Sequence, residues 1–192
     1  MIKHGLIAAA LISGLIQPAL AALERYEVDP NHTYPSIEFP HMGISFWRGK
    51  FNKTSGAITI DRAAGTGEVE IVVDTSTINF GLAAMDEKAR SEDFFDVARF
   101  PTAVYRGTLD LVEGKPRTVD GRVTIHGVTR PLKLDVKLFN CIVHPMHQKE
   151  VCGADAEGEL NWSDFGMKMS RFGEGNAGKV LLRIQVEALK RD

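Results

Sequence analysis

The sequence predicts an all-β domain, an antiparallel sandwich or barrel with a minor helical segment. Three observations predict it: apolar residues recur at every second position, turn residues interrupt them at short intervals, and one stretch breaks the alternation. Alternation gives each strand one face for a core and one for water. Ile37 and Phe39 lead to His41, and Ile58 is followed by Ile60. Val69, Ile71 and Val73 form a third set, and Leu132, Leu134, Val136 and Leu138 a fourth. The longest set comes last, Val180, Leu182, Ile184, Val186 and Ala188, with Arg183, Gln185 and Glu187 on the other face. Turn signals stand at Thr54-Ser55-Gly56, Ala64-Gly65-Thr66-Gly67, Glu113-Gly114-Lys115-Pro116 and from Gly127 to Pro131. From Leu82 to Val97 helix formers replace the alternation and Phe100-Pro101 closes the stretch, which reads as one or two short helices.

The N-terminus has a different character. Lys3 precedes an apolar stretch from Leu6 to Ile16, then come Gln17-Pro18 and the small-residue pattern Ala19-Leu20-Ala21. This is the layout of a secretory leader cleaved after Ala21, with Ala22 the next candidate. The apolar run falls short of the ~18 residues that a membrane-spanning helix needs, and Glu24, Arg25, Glu27 and Asp29 follow directly. The expected organisation is a signal peptide over 1–21 and a single domain over 22–192, soluble after cleavage and working outside the cytoplasm. Of 23 basic and 25 acidic residues only Lys3 lies in the leader, so the mature chain has 22 against 25, a formal charge of −3. Nothing in that balance points to nucleic acid or an anionic membrane as partner.

Cys141 and Cys152 are the only cysteines. In an oxidising compartment an even pair reads first as a disulfide, whose short loop contributes on the order of 3 kcal/mol. The same stretch holds His144 and His147, so Cys141, His144, His147 and Cys152 also have the ligand types of a tetrahedral zinc site. The spacing matches no standard zinc module, and two separate free thiols are the third reading.

No catalytic signature emerges. There is no serine nucleophile elbow, no His-Glu-x-x-His motif and no phosphate-binding glycine loop, since Gly65-Thr66-Gly67 is a bare turn. Asp86, Glu87, Glu92, Asp93 and Asp96 read as a solvated helix face rather than acid–base machinery. Asn31-His32-Thr33, Asn52-Lys53-Thr54 and Asn161-Trp162-Ser163 fit the glycosylation sequon, which matters only in a host that glycosylates.

Four segments stand out in order: Tyr26, Asp29 and His32 as Tyr-x-x-Asp-x-x-His, followed by Phe39, His41 and Gly49-Lys50-Phe51; Ser91-Glu92-Asp93-Phe94-Phe95-Asp96 with Phe100-Pro101; Gly121 to Pro131; and Asp164-Phe165-Gly166. In turn they resemble the opening motif, the most characteristic stretch, the hairpin and the motif before the last strand of the YceI-like family, exported lipocalin-like barrels that bind polyisoprenoid lipids. One departure is Trp162, where many members have an arginine.

The resemblance implies an eight-stranded antiparallel lipocalin-like β-barrel with a short helical element and an apolar channel holding an isoprenoid chain such as a quinone tail. It also implies a bacterial periplasm as the place of work. Candidate ligand-binding residues are Phe39, His41, Phe46, Phe80, Met85, Phe94, Phe95, Tyr105, Phe165 and Met167. His41 shares the face of Ile37 and Phe39 and is expected to point inward, either as a core group or against a ligand head. Phe94 and Phe95 are adjacent and cannot point the same way, so one plugs the barrel and the other packs beside it. Met85, Met167 and Met169 suit an adaptable channel or an irregular core alike. The expected role is a non-enzymatic carrier or reservoir without catalytic residues, metal or cofactor, whose partner is an isoprenoid or other long-chain lipid. The alternative is a stress-response or interaction module whose barrel is filled by its own side chains. A homodimer is compatible with either.

Overall fold

The computed structural model describes residues 23–146, 148–167 and 178–191. The expected leader over 1–21, together with His147 and Met169, therefore lies outside the described residues. Eleven strands follow in chain order: β1 (Glu24–Val28), β2 (Tyr34–His41), β3 (Ser45–Phe51), β4 (Thr54–Asp61), β5 (Thr66–Asp74) and β6 (Ile78–Asn79). After the helix α1 (Ala83–Arg90) come β7 (Thr102–Val112), β8 (Lys115–Ile125), β9 (Val128–Val143), β10 (Glu150–Asn161) and β11 (Lys179–Arg191).

These eleven segments make an eight-stranded closed antiparallel barrel, because three positions in the ring are each shared by two segments. β1 and β2 both pair with β11, β1 along Ala188–Arg191 and β2 along Leu181–Gln185. They are halves of one stave, interrupted by the turn that carries Asp29 and His32. β3 and β4 continue one another in the same way, as do β5 and β6. The ring then runs β4, β5, β7, β8, β9, β10, β11 and returns to β1. Full closure leaves the eight staves no free edge.

The alternating sets supply the inner face as expected, with one correction. Between β9 and β10 the register shifts by a bulge, so that Val136 faces Ala156 while Leu138 faces Asp155. The extra residue turns Leu138 outward, 59% exposed, and brings Phe139 onto the inner face in its place.

Local chemistry corrects three further expectations. Thr54-Ser55-Gly56 begins β4 rather than forming a turn. The turn between β8 and β9 is only His126-Gly127, both in the left-handed region at φ 52° and 73°, the backbone of a tight two-residue hairpin. The segment after β6 forms one α-helix, within the expected one or two, and Ser91 to Arg99 continues as turns. The acidic residues there are not all solvated: Asp86 and Asp96 are buried. Asp86 accepts the Phe80 amide at 2.7 Å, and Asp96 pairs with Arg99 at 3.3 Å. Each carboxylate has a local partner, which is what allows it to leave water.

Cys141 and Cys152 stand directly opposite one another on β9 and β10 and are joined as a disulfide. Of the three readings of this pair, the structure has the staple, on the inner face of the barrel wall.

Candidate functional site

The two ends of the barrel are closed by different chemistry. At one end lie the starts of β1 and β10, the end of β11 and the turn after β4. Tyr26 points its ring into the barrel, and its hydroxyl donates to Glu150 at 2.6 Å, with Glu24 3.1 Å away. Arg62 reaches Glu24 at 2.7 Å and the Gly114 carbonyl at 2.9 Å, and Lys190 reaches Glu24 at 2.8 Å. Burial, then the bond to Glu150, push the Tyr26 phenol well above the usual range, so it stays a neutral donor.

Glu24 shows the balance in this polar floor. Burial pushes its carboxyl up, but Lys190, Tyr26 and Arg62 together outweigh burial and hold it below its ordinary 4.5. A carboxyl lowered in the folded state stabilises above its ordinary pKa, and that contribution is lost as the pH falls through the lowered value. The melting temperature is therefore expected to drop on acidification below pH 4.5, and Glu24→Gln to flatten this drop. An identical acid profile in the variant would show that Glu24 contributes no pH-dependent stability.

The other end is closed by rings. Trp162, on a short 3-10 turn spanning Trp162–Phe165, is 2% exposed and lies at the centre of an edge-to-face cluster. Its centroid lies 5.3 Å from Phe94, 5.6 Å from Phe95 and 6.0 Å from Phe39. Phe80 extends the cluster to Trp47, and room for its ring comes from Gly49, where a Cβ would lie 2.6 Å from it. His126 ties the plug down: its Nδ1 lies 3.1 Å from the Phe165 carbonyl and donates to it, while Nε2 faces Asp96 at 4.0 Å.

Between floor and plug the barrel is hollow. A cavity of about 190 Å³ runs along the inner face, larger than the ~150 Å³ apolar hollow that suffices for a benzene. Ile58, Val69, Ile71, Val136, Ile184 and Val186 point into it and stay only half-buried, because they meet empty space instead of one another. Its lining, among the described residues, contains no Asp, Glu, His, Lys or Arg.

The few polar side chains on the wall turn their polar atoms away. Thr33 exchanges hydrogen bonds with the backbone of Glu187, and Ser36 donates to the Tyr34 carbonyl. The Tyr105 hydroxyl is shared between the carbonyls of Val119 and Leu132, each at 3.1 Å. Tyr105 fits there because Gly121 lacks a Cβ, which would come within 2.6 Å of its ring. What remains toward the hollow is apolar: aliphatic and aromatic side chains and Cys152, with the Trp162 ring, whose buried Nε1 has no hydrogen-bond partner among the described residues.

Of the ten residues picked from the sequence, Phe95 and Tyr105 line the cavity. Phe94 packs behind Phe95 against Trp162, and Phe39 lies on Trp162 and Phe80. Phe165 and Met167 are buried in the plug, and Met85 is half-buried against the core. His41 is half-buried at the rim with its ring 5.2 Å from Trp47. Phe46 stands outside, with the Arg48 guanidinium over its ring at 5.9 Å. Most of the wall comes from the aliphatic positions of the alternating sets, with Phe51, Phe139 and Trp162 added. The signal for these was the alternation itself, which marks every inward position of an open barrel as wall.

The YceI-like domain model matches residues 26–188. The chain belongs to the YceI-like family. Curated relatives include a UPF0312 protein of Pseudomonas aeruginosa (strain LESB58), 29% identical over 96% of this chain and 98% of its own length. Protein YceI of Salmonella arizonae is 30% identical over 85% of this chain and 86% of its own length. Among solved structures, the Campylobacter jejuni YCEI protein superposes with a TM-score of 0.67 at 22% identity, over 80% of this chain and 91% of that one. A polyisoprenoid binding domain from Saccharophagus degradans superposes with a TM-score of 0.61 at 14% identity, over 86% of this chain and 98% of that one. This family barrel is the frame in which the hollow sits. No helix among the described residues is long and apolar enough to cross a membrane.

Proposed function

We propose that this YceI-like protein holds an isoprenoid or similar long-chain lipid non-covalently, as a carrier or reservoir outside the cytoplasm, and performs no chemistry on it. The observation that carries the reading is the hollow whose lining has no ionisable acid or base apart from two tyrosines, whose hydroxyls are hydrogen-bonded to Glu150 and to wall carbonyls. Such a wall offers a ligand apolar contact, and each buried methylene contributes about 0.8 kcal/mol. A solved relative in fold, from Saccharophagus degradans, is described as a polyisoprenoid binding domain, and the Cys141–Cys152 staple suits an oxidising compartment. A barrel filled by its own side chains is the reading that the hollow disfavours.

Titration with isoprenoid alcohols of increasing length tests this, using tryptophan emission in a Trp47→Phe background so that the signal comes from Trp162, which lines the cavity. Saturable binding at one site is expected, with affinity rising with chain length until the hollow is full. Absence of saturable binding at every length would overturn the reading.

A further inference from the structure

The β2–β3 hairpin ends in a way that neither turn chemistry nor solubility explains. Its tip is Met42-Gly43-Ile44, and Met42 sits at φ 54°, a left-handed conformation that glycine, asparagine and aspartate adopt far more readily. Met42 is 64% exposed and Ile44 81%, and Phe46, two residues on along β3, is 49% exposed. Three large apolar side chains exposed on one hairpin mark a surface that meets something other than water.

Shape decides what that is. A side chain 81% exposed at a hairpin tip stands clear of the molecule. A projection of this size cannot supply the ~800 Å² per partner of a stable protein interface, whereas it suits shallow insertion at the boundary of headgroups and acyl chains. Trp47 lies just behind the tip, and Arg48, which covers Phe46, is paired with Glu38 at 3.2 Å, so the cation beside the tip is already matched. Insertion would therefore be driven by apolar contact, without a requirement for anionic lipid.

Behind the tip the rings continue inward. Trp47 meets Phe80 at 6.1 Å, Phe80 meets Phe39 at 5.9 Å, and Phe39 meets Trp162 at 6.0 Å, where the cavity wall begins. The opposite end is sealed by the ionic floor of Glu24, Arg62, Glu150 and Lys190. Resting on the lipid-holding role above, we propose that the β2–β3 tip docks the barrel on a lipid bilayer, and that the ring run behind it is the route by which an apolar tail passes between bilayer and cavity.

Flotation of the purified protein with phosphatidylcholine vesicles, with and without phosphatidylglycerol, tests the docking. Comparable flotation with both is expected, and Met42→Ser combined with Ile44→Ser should reduce it at least tenfold. Because both residues are exposed, the double variant should keep its melting temperature and still take up an isoprenoid alcohol from vesicle-free solution. Uptake without flotation of the wild type would overturn the docking and leave the cavity reading standing. Flotation without uptake would overturn the cavity reading and the proposed route with it. Flotation confined to anionic vesicles and unaffected by the double variant, or a concentration-dependent dimer abolished by it, would overturn the proposal by reassigning the surface.

Discussion

Trp162→Ala is expected to destabilise the protein by about 3–5 kcal/mol, the range for removing a buried large aromatic. Trp162 touches Phe39, Phe94 and Phe95 at once, so its removal leaves three rings facing a void. The fold offers little to fill it, because these rings come from β2 and from the turns after α1, which packing against Trp162 brings together. Urea unfolding of the variant measures the loss, and Trp162→Phe should recover a large part of it. A cost below ~1 kcal/mol would mean that the plug is held by something other than its central ring.

The second large effect is on binding. Ala156 lies on the inner face of β10, opposite Val136 on β9 and Ile184 on β11, all three on the cavity wall. Replacing its methyl with an indole occupies the hollow without displacing a packed neighbour, so Ala156→Trp should abolish isoprenoid uptake and leave the barrel folded. Small-to-large changes in a filled core usually cost ~1–3 kcal/mol, and a cost near zero here would itself report the empty space. Uptake equal to that of the wild type would show that lipid, if bound, sits elsewhere.

The fold was legible because an antiparallel barrel writes its inner face into the sequence at every second residue, as in Val180 to Ala188. The bulge was hidden for a physical reason: Leu138 and Phe139 are both apolar, so either could serve as the inward residue, and only the pairing with Asp155 and Ala154 decides between them. Asp86 and Asp96 looked solvated because their partners, the Phe80 amide and Arg99 with His126, are assembled by turns rather than by any period.

The candidate site was legible in part. Aromatic and methionine residues drew the choice toward the plug, where Phe39, Phe80 and Phe94 close the barrel, while the wall is mostly Ile, Val, Leu and Ala. Trp162, notable in the sequence only as a departure from the family pattern, joins the two: it is the centre of the plug and part of the wall. Whether an inward residue packs against another side chain or against a hollow depends on the distance across the ring, which no local spacing records.

The most direct test of the central claim is organic extraction of the protein purified without detergent, followed by mass spectrometry of the extract. The hollow apolar barrel predicts a long-chain isoprenoid or similar lipid, close to one per chain, recovered from the wild type and absent from Ala156→Trp. An extract free of lipid, together with no uptake of added isoprenoid, would contradict it.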